Sequence, residues 1–359
     1  MPVCMTFIDF EKAFDSLKAE AVMEAVEKLD IEWQYQRLIR YIYETATATI
    51  TVNGEKDTIQ LKRGIRQGDA LSPKLFTAAL QDKIRNIDWS NGGLDICGEK
   101  LTHLMYADDI VLFAEDMETL QGMVNKVYAA CLEIGLRINR SKTKSMCNGY
   151  ILNRKNIYLE NEKIELVERF VYSGQVIELN NKVAPEITKR IQTAWAAFSK
   201  LSYILKDVNT PINLRRKVLN QCINPVTTYA SETWTLTKGL EERLATTQRK
   251  MERLMLGITL RDKWTMERIR GATGVSDVVE AAKRSKWRWA GHVARCGMER
   301  WIARLTSWRP RRNREVGRPR RRWEDELVWF EMDWRDLAQN RDVWKMNGEA
   351  FIQEWIENG

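Results

Sequence analysis

The stretch "LTHLMYADDIVLFAE" (Leu101 to Glu115) sets two adjacent aspartates, Asp108 and Asp109, in the middle of an apolar run. Neighbouring carboxylates repel, and burying either one unpaired is costly. The run therefore reads as two short apolar strands with the aspartates at the turn between them. A bound cation would resolve the conflict between the charges. An "ADD" on its own is more often an acidic turn, so a metal reading needs a further carboxylate from elsewhere in the chain.

Such a carboxylate exists. Residues 3–8, "VCMTFI", form a short apolar run rich in β-favouring residues, and Asp9 follows at its end. A helical pattern then buries Val22, Ala25, Val26 and Leu29, and a second helix is expected over roughly 31–44. "TATITVNGEKDTIQL" reads as a β-hairpin turned by Asn53-Gly54. "RGIRQGDALSP" (Arg63 to Pro73) is a glycine-bearing loop, with Ser72 as N-cap and Pro73 as first residue of the next helix. A further helix around 116–134 and the segment "GLRINRSKTKSM" complete a strand-helix alternation of α+β class. If the strands ending at Asp9 and at the Asp108-Asp109 turn are neighbours in one sheet, the three carboxylates converge at its edge. That arrangement suits two Mg2+ ions, with Mn2+ as a substitute, and in-line transfer at phosphorus. Successive strand residues face opposite ways, which makes Asp109 the looser ligand.

Three segments, "FIDFEKAFD" (7–15), "RGIRQGDALSPKLFTAAL" (63–80) and "YADDIVLF" (106–113), together resemble the successive palm motifs of reverse transcriptases, in order and in spacing. The longer wording is similar to the enzymes of LINE-type (non-LTR) retrotransposons, and less closely to group II intron maturases. The resemblance implies a palm of antiparallel sheet packed on helices, followed by an α-helical thumb and a basic C-terminal region. It implies an RNA-directed DNA polymerase acting on an RNA template, a DNA primer and deoxynucleoside triphosphates. Asp9, Asp108 and Asp109 become the metal-binding triad. Phe14 becomes the aromatic gate against a ribose 2′-hydroxyl, and Gln67, Gly68 and Tyr106 join the substrate contacts. Lys142, with Lys144 as its rival, matches the lysine that protonates departing pyrophosphate. "FVYSGQVI" (170–177) matches the hairpin that grips the primer end. Ser173 stands where the family usually has leucine, which is expected to loosen that hairpin.

Beyond about residue 185 strand signals fade. Expected domains are 1–184 (palm), 185–260 (helical, thumb-like) and 261–359 (Arg/Trp-rich). Arg190, Lys200, Arg215, Arg216 and Lys217 are candidates for phosphate contact, or simply a solvated face. The net charge of +8 is concentrated: between Trp287 and Asp325 twelve arginines face four acidic residues, 12 − 4 = +8. Within "WRPRRNREVGRPRRRW", Arg309, Arg311, Arg312, Arg314, Arg318, Arg320, Arg321 and Arg322 are flanked by Trp308 and Trp323. Arginine suits bidentate phosphate contact and tryptophan suits stacking on unpaired bases, so this segment is read as nucleic-acid-binding. The tryptophans at 329, 334, 344 and 355 are expected in packed helices.

The six cysteines include no C-x-x-C pair, which speaks against a disulfide framework or a zinc ribbon. No apolar run approaches a membrane span, and the expected setting is intracellular, in the nucleus, the cytoplasm or both. Only eight residues precede Asp9, where the family carries a fingers region. The sequence is thus expected to be an N-terminally truncated member. The alternative to an active core is a catalytically silent remnant that binds RNA or DNA through its basic tail.

Overall fold

A computed structural model describes residues 2–148, 155–179, 183–309 and 321–358, with side chains as far as Glu354. The chain divides into two compact units, Met1–Phe170 and Val171–Gly359.

The first unit alternates strands and helices. Strand β1 (Cys4–Ile8) leads into the short helix α1 (Ala13–Ser16), then α2 (Ala19–Lys28) and α3 (Trp33–Glu44). The hairpin of β2 (Thr47–Val52) and β3 (Glu55–Gln60) follows, and Asn53 and Gly54 take the positive φ values that its two-residue turn requires. Helix α4 (Ser72–Arg85), the small hairpin β4 (Leu94–Ile96) and β5 (Glu99–Leu101), and strands β6 (His103–Tyr106) and β7 (Asp109–Ala114) come next. After helix α5 (Met117–Glu133) and strand β8 (Lys144–Cys147), β9 (Tyr158–Leu159) and β10 (Glu162–Lys163) pair with each other, and β11 (Glu165–Leu166) completes the sheet.

The five-stranded sheet has the order β11-β8-β1-β7-β6. Strand β1 lies at its centre, paired antiparallel to β7 and to β8, and every one of its residues is buried. A central strand covered on both faces loses polar-apolar alternation, which accounts for the continuous apolar run read in the sequence. One face, carrying Cys4, Ile8, Ile110 and Leu112, packs in a single core with Phe76 and Leu80 of α4 and Leu120, Val124 and Val127 of α5. Asp116 caps α5 by accepting from the Thr119 N–H at 2.7 Å. Two expectations shift slightly. Ser72 is the first helical residue of α4, with Leu71 in the cap position, and Leu29 lies just past α2 and is exposed.

The second unit is helical after the hairpin of β12 (Arg169–Tyr172), whose first two residues end the first unit, and β13 (Gln175–Glu178). Helix α6 (Ala184–Lys200) supplies two of its cores. One joins Ala194 and Phe198 to Met251, Met255 and Val275; the other joins Ile187 to Trp234, Leu244, Val278 and Ala282. Both cores cross residue 260, where the sequence reading ended a helical domain.

A third core contains a reciprocal clasp. Helices Val278–Ala294 and Arg341–Asn358 each carry Trp-x-x-x-Gly: Trp287 with Gly291, and Trp344 with Gly348. The indoles of Trp287 and Trp344 stack at 3.6 Å between centroids and 1° between planes. Each Nε1–H donates to the other's backbone carbonyl, at 2.9 and 3.1 Å. Each glycine makes room for the opposite indole. The expectation of core holds for Trp334 and Trp344, both buried. Trp329 is half exposed because its side of the helix Asp325–Phe330 faces outward, and the side chain of Trp355 lies outside the described residues. Among the described residues no helix is long and apolar enough to cross a membrane.

Candidate active site

The site begins from a register. Strands β1 and β7 run antiparallel with Ile8 opposite Ile110. Asp9, the residue after Ile8, therefore leaves the ladder level with the turn that carries Asp108 and ends at Asp109. Strands β6 and β7 are joined by a two-residue turn, Ala107-Asp108, between the paired residues Tyr106 and Asp109. Ala107 adopts φ 53°, a left-handed conformation that costs an L-residue about 1 kcal/mol and tightens the turn. Asp9, Asp108 and Asp109 are all half-buried at this end of the sheet. Residues about a hundred positions apart are thus brought to one edge.

Asp9 is held firmly by its main chain. Its N–H donates to Thr143 Oγ1 at 3.3 Å, and its carbonyl accepts from the Asn139 N–H at 2.7 Å. Its side chain is not equally provided for. The Oδ2 atom is sealed from solvent and accepts no hydrogen bond, and the nearest cation is the Lys142 ammonium at 3.6 Å. A sealed carboxylate oxygen in this state favours a cation. Hard carboxylate donors fit Mg2+ or Mn2+. As placed, the described residues contain no group of three His, Cys, Asp or Glu side chains drawn together tightly enough to hold a metal. Asp9, Asp108 and Asp109 are the residues that would supply such a set.

The two candidate lysines have different fates. Lys144 Nζ is engaged by Glu165 at 2.8 Å and by the Ser141 carbonyl at 2.6 Å. Lys142 is exposed and turned toward Asp9. Asn139 Oδ1 accepts from the Lys142 N–H at 3.2 Å, so the loop that anchors Asp9 also presents Lys142.

Phe14 lies half-buried on α1, its ring stacked on Phe76 at 4.8 Å between centroids. Its carbonyl accepts from the Ile65 N–H at 2.7 Å, and the Leu17 carbonyl accepts from Gly64 N–H at 2.8 Å. Gly64 is required here: it has φ +92°, and an added Cβ would lie 3.1 Å from the Asp15 carbonyl oxygen. Gly68 has φ +89° and open space around it. Gln67 Nε2 donates to Asp15 Oδ1 at 3.0 Å. Tyr106, at the end of β6, is 78% exposed. Asp15 was missed by sequence reasoning, although it directly follows Phe14.

In the second unit, the tip of the β12-β13 hairpin is tied down through its backbone. The Ser173 carbonyl accepts from Tyr229 Oη at 3.0 Å, and the Gly174 carbonyl accepts from Lys189 Nζ at 2.9 Å and from Arg190. Glu186 pairs with Arg190 and accepts from the Val176 N–H at 2.7 Å. These anchors use main-chain atoms and so do not depend on leucine or serine at 173. Arg190 is buried in this network, and buried Arg215 donates to the Met255 carbonyl. For these two the phosphate-contact expectation is corrected: their guanidiniums hold the fold together.

Of the basic segment, Arg311, Arg312, Arg314, Arg318 and Arg320 lie outside the described residues. Arg309 is exposed and pairs with Glu324, Arg321 donates to the Leu236 carbonyl at 3.0 Å, and the Arg322 N–H donates to Asp325 at 2.7 Å. Trp323 Nε1 donates to the Glu232 carbonyl at 2.7 Å, so this flanking tryptophan is structurally engaged.

Comparison with known proteins bears on the first unit most directly. Residues 2–194 match the family model described as reverse transcriptase (RNA-dependent DNA polymerase). An uncharacterized transposon-derived protein of Caenorhabditis elegans is 35% identical over 266 residues, covering 69% of this chain and 95% of that one. The Pol polyprotein of a type-1 retrotransposable element R2 of Nasonia vitripennis is 30% identical over 160 residues, covering 44% of this chain and 16% of the polyprotein. The chain thus spans nearly all of the nematode protein and a small part of the R2 polyprotein. The solved structure of apo telomerase from Candida tropicalis aligns with a TM-score of 0.38 and 14% identity over 85% of this chain and 53% of that one, too distant to inform any detail.

Proposed function

The chain belongs to the reverse transcriptase (RNA-dependent DNA polymerase) family in its non-LTR retrotransposon branch, and we propose that it is a polymerase core that adds deoxynucleotides to a primer 3′-hydroxyl on an RNA template. The observation that carries this reading is the β1-β7 register, which sets Asp9 beside the Asp108-Asp109 turn.

In this reading Asp9 and Asp108 hold divalent ions, with Asp109 as the looser ligand, and the sealed Oδ2 of Asp9 supports that assignment. Two bound Mg2+ ions would lower the pKa of the attacking hydroxyl and neutralise charge on the phosphates. Lys142, rather than Lys144, holds the proton for the departing pyrophosphate, because the ammonium of Lys144 is already engaged. The Phe14 ring, braced by Phe76, excludes a 2′-hydroxyl. Gln67 offers hydrogen bonds to the nucleotide, and the open space at Gly68 lets its backbone approach. Tyr106 completes the substrate contacts from the end of β6. The helices from Ala184 to Leu256 act as a thumb on the template-primer duplex. The 309–322 segment adds salt-sensitive contacts to phosphate, chiefly through arginines other than the paired Arg309.

Primer extension on an RNA template with Mg2+ and deoxynucleotides tests this directly. Extension that is lost in Asp108→Asn is the expected result. No extension, together with RNA binding that survives Asp108→Asn and weakens steeply with salt, would replace it with the remnant that only binds nucleic acid.

A further inference from the structure

The loop that carries Gln67 and Gly68 is fastened to the α1 region at several points, and two of them meet at one residue, Asp15. Two main-chain bonds draw the loop in: Gly64 N–H to the Leu17 carbonyl at 2.8 Å, and Ile65 N–H to the Phe14 carbonyl at 2.7 Å. Gly64 packs flat on Asp15, close enough that an added Cβ would lie 3.1 Å from its carbonyl oxygen and 3.2 Å from its Cα. Beyond that contact the chain turns outward, and the side chain of Asp15 follows it to meet Gln67 Nε2 at 3.0 Å. The backbone of Asp15 thus locates the loop, and its carboxylate addresses the loop's one carboxamide.

The chemistry of that contact has a direction. An ionised carboxylate only accepts hydrogen bonds, whereas a carboxamide carries a donor at one end and an acceptor at the other. A glutamine that meets a carboxylate must turn its NH2 toward it. Its carbonyl oxygen, Oε1, is then turned away. A free glutamine would present either end and would lose part of its binding energy in choosing.

We infer that Asp15 is a positioning residue that fixes the carboxamide of Gln67, so that its acceptor end, Oε1, is the end offered to the incoming nucleotide. The inference rests on the nucleotide-binding role proposed for Gln67. Asp15 itself touches no substrate in this account. Because Phe14 precedes Asp15 and is tied to Ile65, the gate ring and the oriented carboxamide belong to one braced piece of structure.

The test has two arms, both on the full chain, with Asp15→Asn as the variant. Asparagine keeps the shape of the side chain and its backbone contacts, but it accepts and donates, so Gln67 is free to turn over. In the first arm the protein is labelled with 15N at glutamine side chains, and the Gln67 NH2 pair is assigned as the one absent from Gln67→Ala. Asp15→Asn should move that pair, and a pair that stays in place overturns the inference whatever the enzyme does.

The second arm measures deoxynucleotide KM and kcat in primer extension. Asp15→Asn should raise KM about three- to tenfold, the worth of one hydrogen bond, with kcat little changed. In the Gln67→Ala background the same change should alter KM less than about twofold, because Asp15 then has nothing to orient. Effects that simply add across the two positions overturn the inference. A moved resonance in a chain that extends no primer sinks the polymerase reading and leaves the Asp15–Gln67 coupling standing.

Discussion

Gly291→Ala tests whether the Trp287–Trp344 clasp holds the C-terminal helices in register. An alanine Cβ at 291 would fall on Trp344 Nε1, with Trp344 Cδ1 at 2.7 Å and Cε2 at 3.0 Å. Trp344 has nowhere to retreat. It is 4% exposed, its other neighbour is the stacked Trp287 ring, and its Nε1–H is bound to the Trp287 carbonyl. Overpacking of this kind costs about 1–3 kcal/mol, and loss of the Trp344 hydrogen bond adds about 1 kcal/mol. Replacing a helical glycine by alanine returns about 1 kcal/mol. The net is a loss of about 2 kcal/mol, or a fall in Tm of about 4–8 °C for a unit of this size.

The symmetry-related change supplies the control. At Gly348 an added Cβ would sit 3.1 Å from Trp287 Cδ1, tight but short of a collision. Gly348→Ala should therefore be close to neutral, since a few tenths of an ångström of yielding are offset by helix propensity. Thermal unfolding followed by tryptophan fluorescence reads both variants. A Gly291→Ala protein as stable as the parent, or a Gly348→Ala protein that is clearly the worse of the two, would refute the clasp as the element that sets this helix pairing.

Lys286 gives a pH-dependent prediction. Burial lowers its ammonium from 10.5 to about 8, against the opposing attraction of Glu326. Between those two values the unfolded chain binds more protons than the folded one, so this group makes stability rise with pH from about 8 to 10.5, by about 3 kcal/mol. The penalty is fully present below pH 8. Lys286→Met should remove that rise while Glu326 keeps Lys283 at 3.2 Å, and urea midpoints with an unchanged pH slope would contradict the assignment. Burial also pushes the Cys4 and Cys131 thiols up to about 12, and the Cys147 thiol across the strand pair adds to the effect at Cys4. Iodoacetamide at pH 8 should then label the exposed Cys97 and Cys222 and spare Cys4 and Cys131 until the chain unfolds; mass-spectrometric mapping that found Cys4 modified as fast as Cys222 would show that this face of the sheet opens.

Much of this protein was determined by sequence alone, because the signals involved are local. Apolar runs, Asn53-Gly54 and the Ser72-Pro73 start each act within a few residues of chain, and they place β1 to β3, β6, β7 and helices α2 to α5 nearly where the structure has them, while the short strands β4, β5, β9, β10 and β11 carry no such local signal. The motifs around Asp9, Gln67 and Asp108 are likewise legible as short strings. Only the tertiary structure decided which of these pieces meet. Placing β1 between β7 and β8 depends on hydrogen-bond register across roughly a hundred intervening residues, and no window of sequence contains that register. The same holds for the turn of Lys142 toward Asp9 while Lys144 pairs with Glu165, for the bond between Asp15 and Gln67, and for the turn of Arg190 and Arg215 into the interior. Each is a matter of which partner lies within 3 or 4 Å after packing. A charged side chain carries no mark in the sequence of whether its counter-charge will be water, nucleic acid or another part of the same chain.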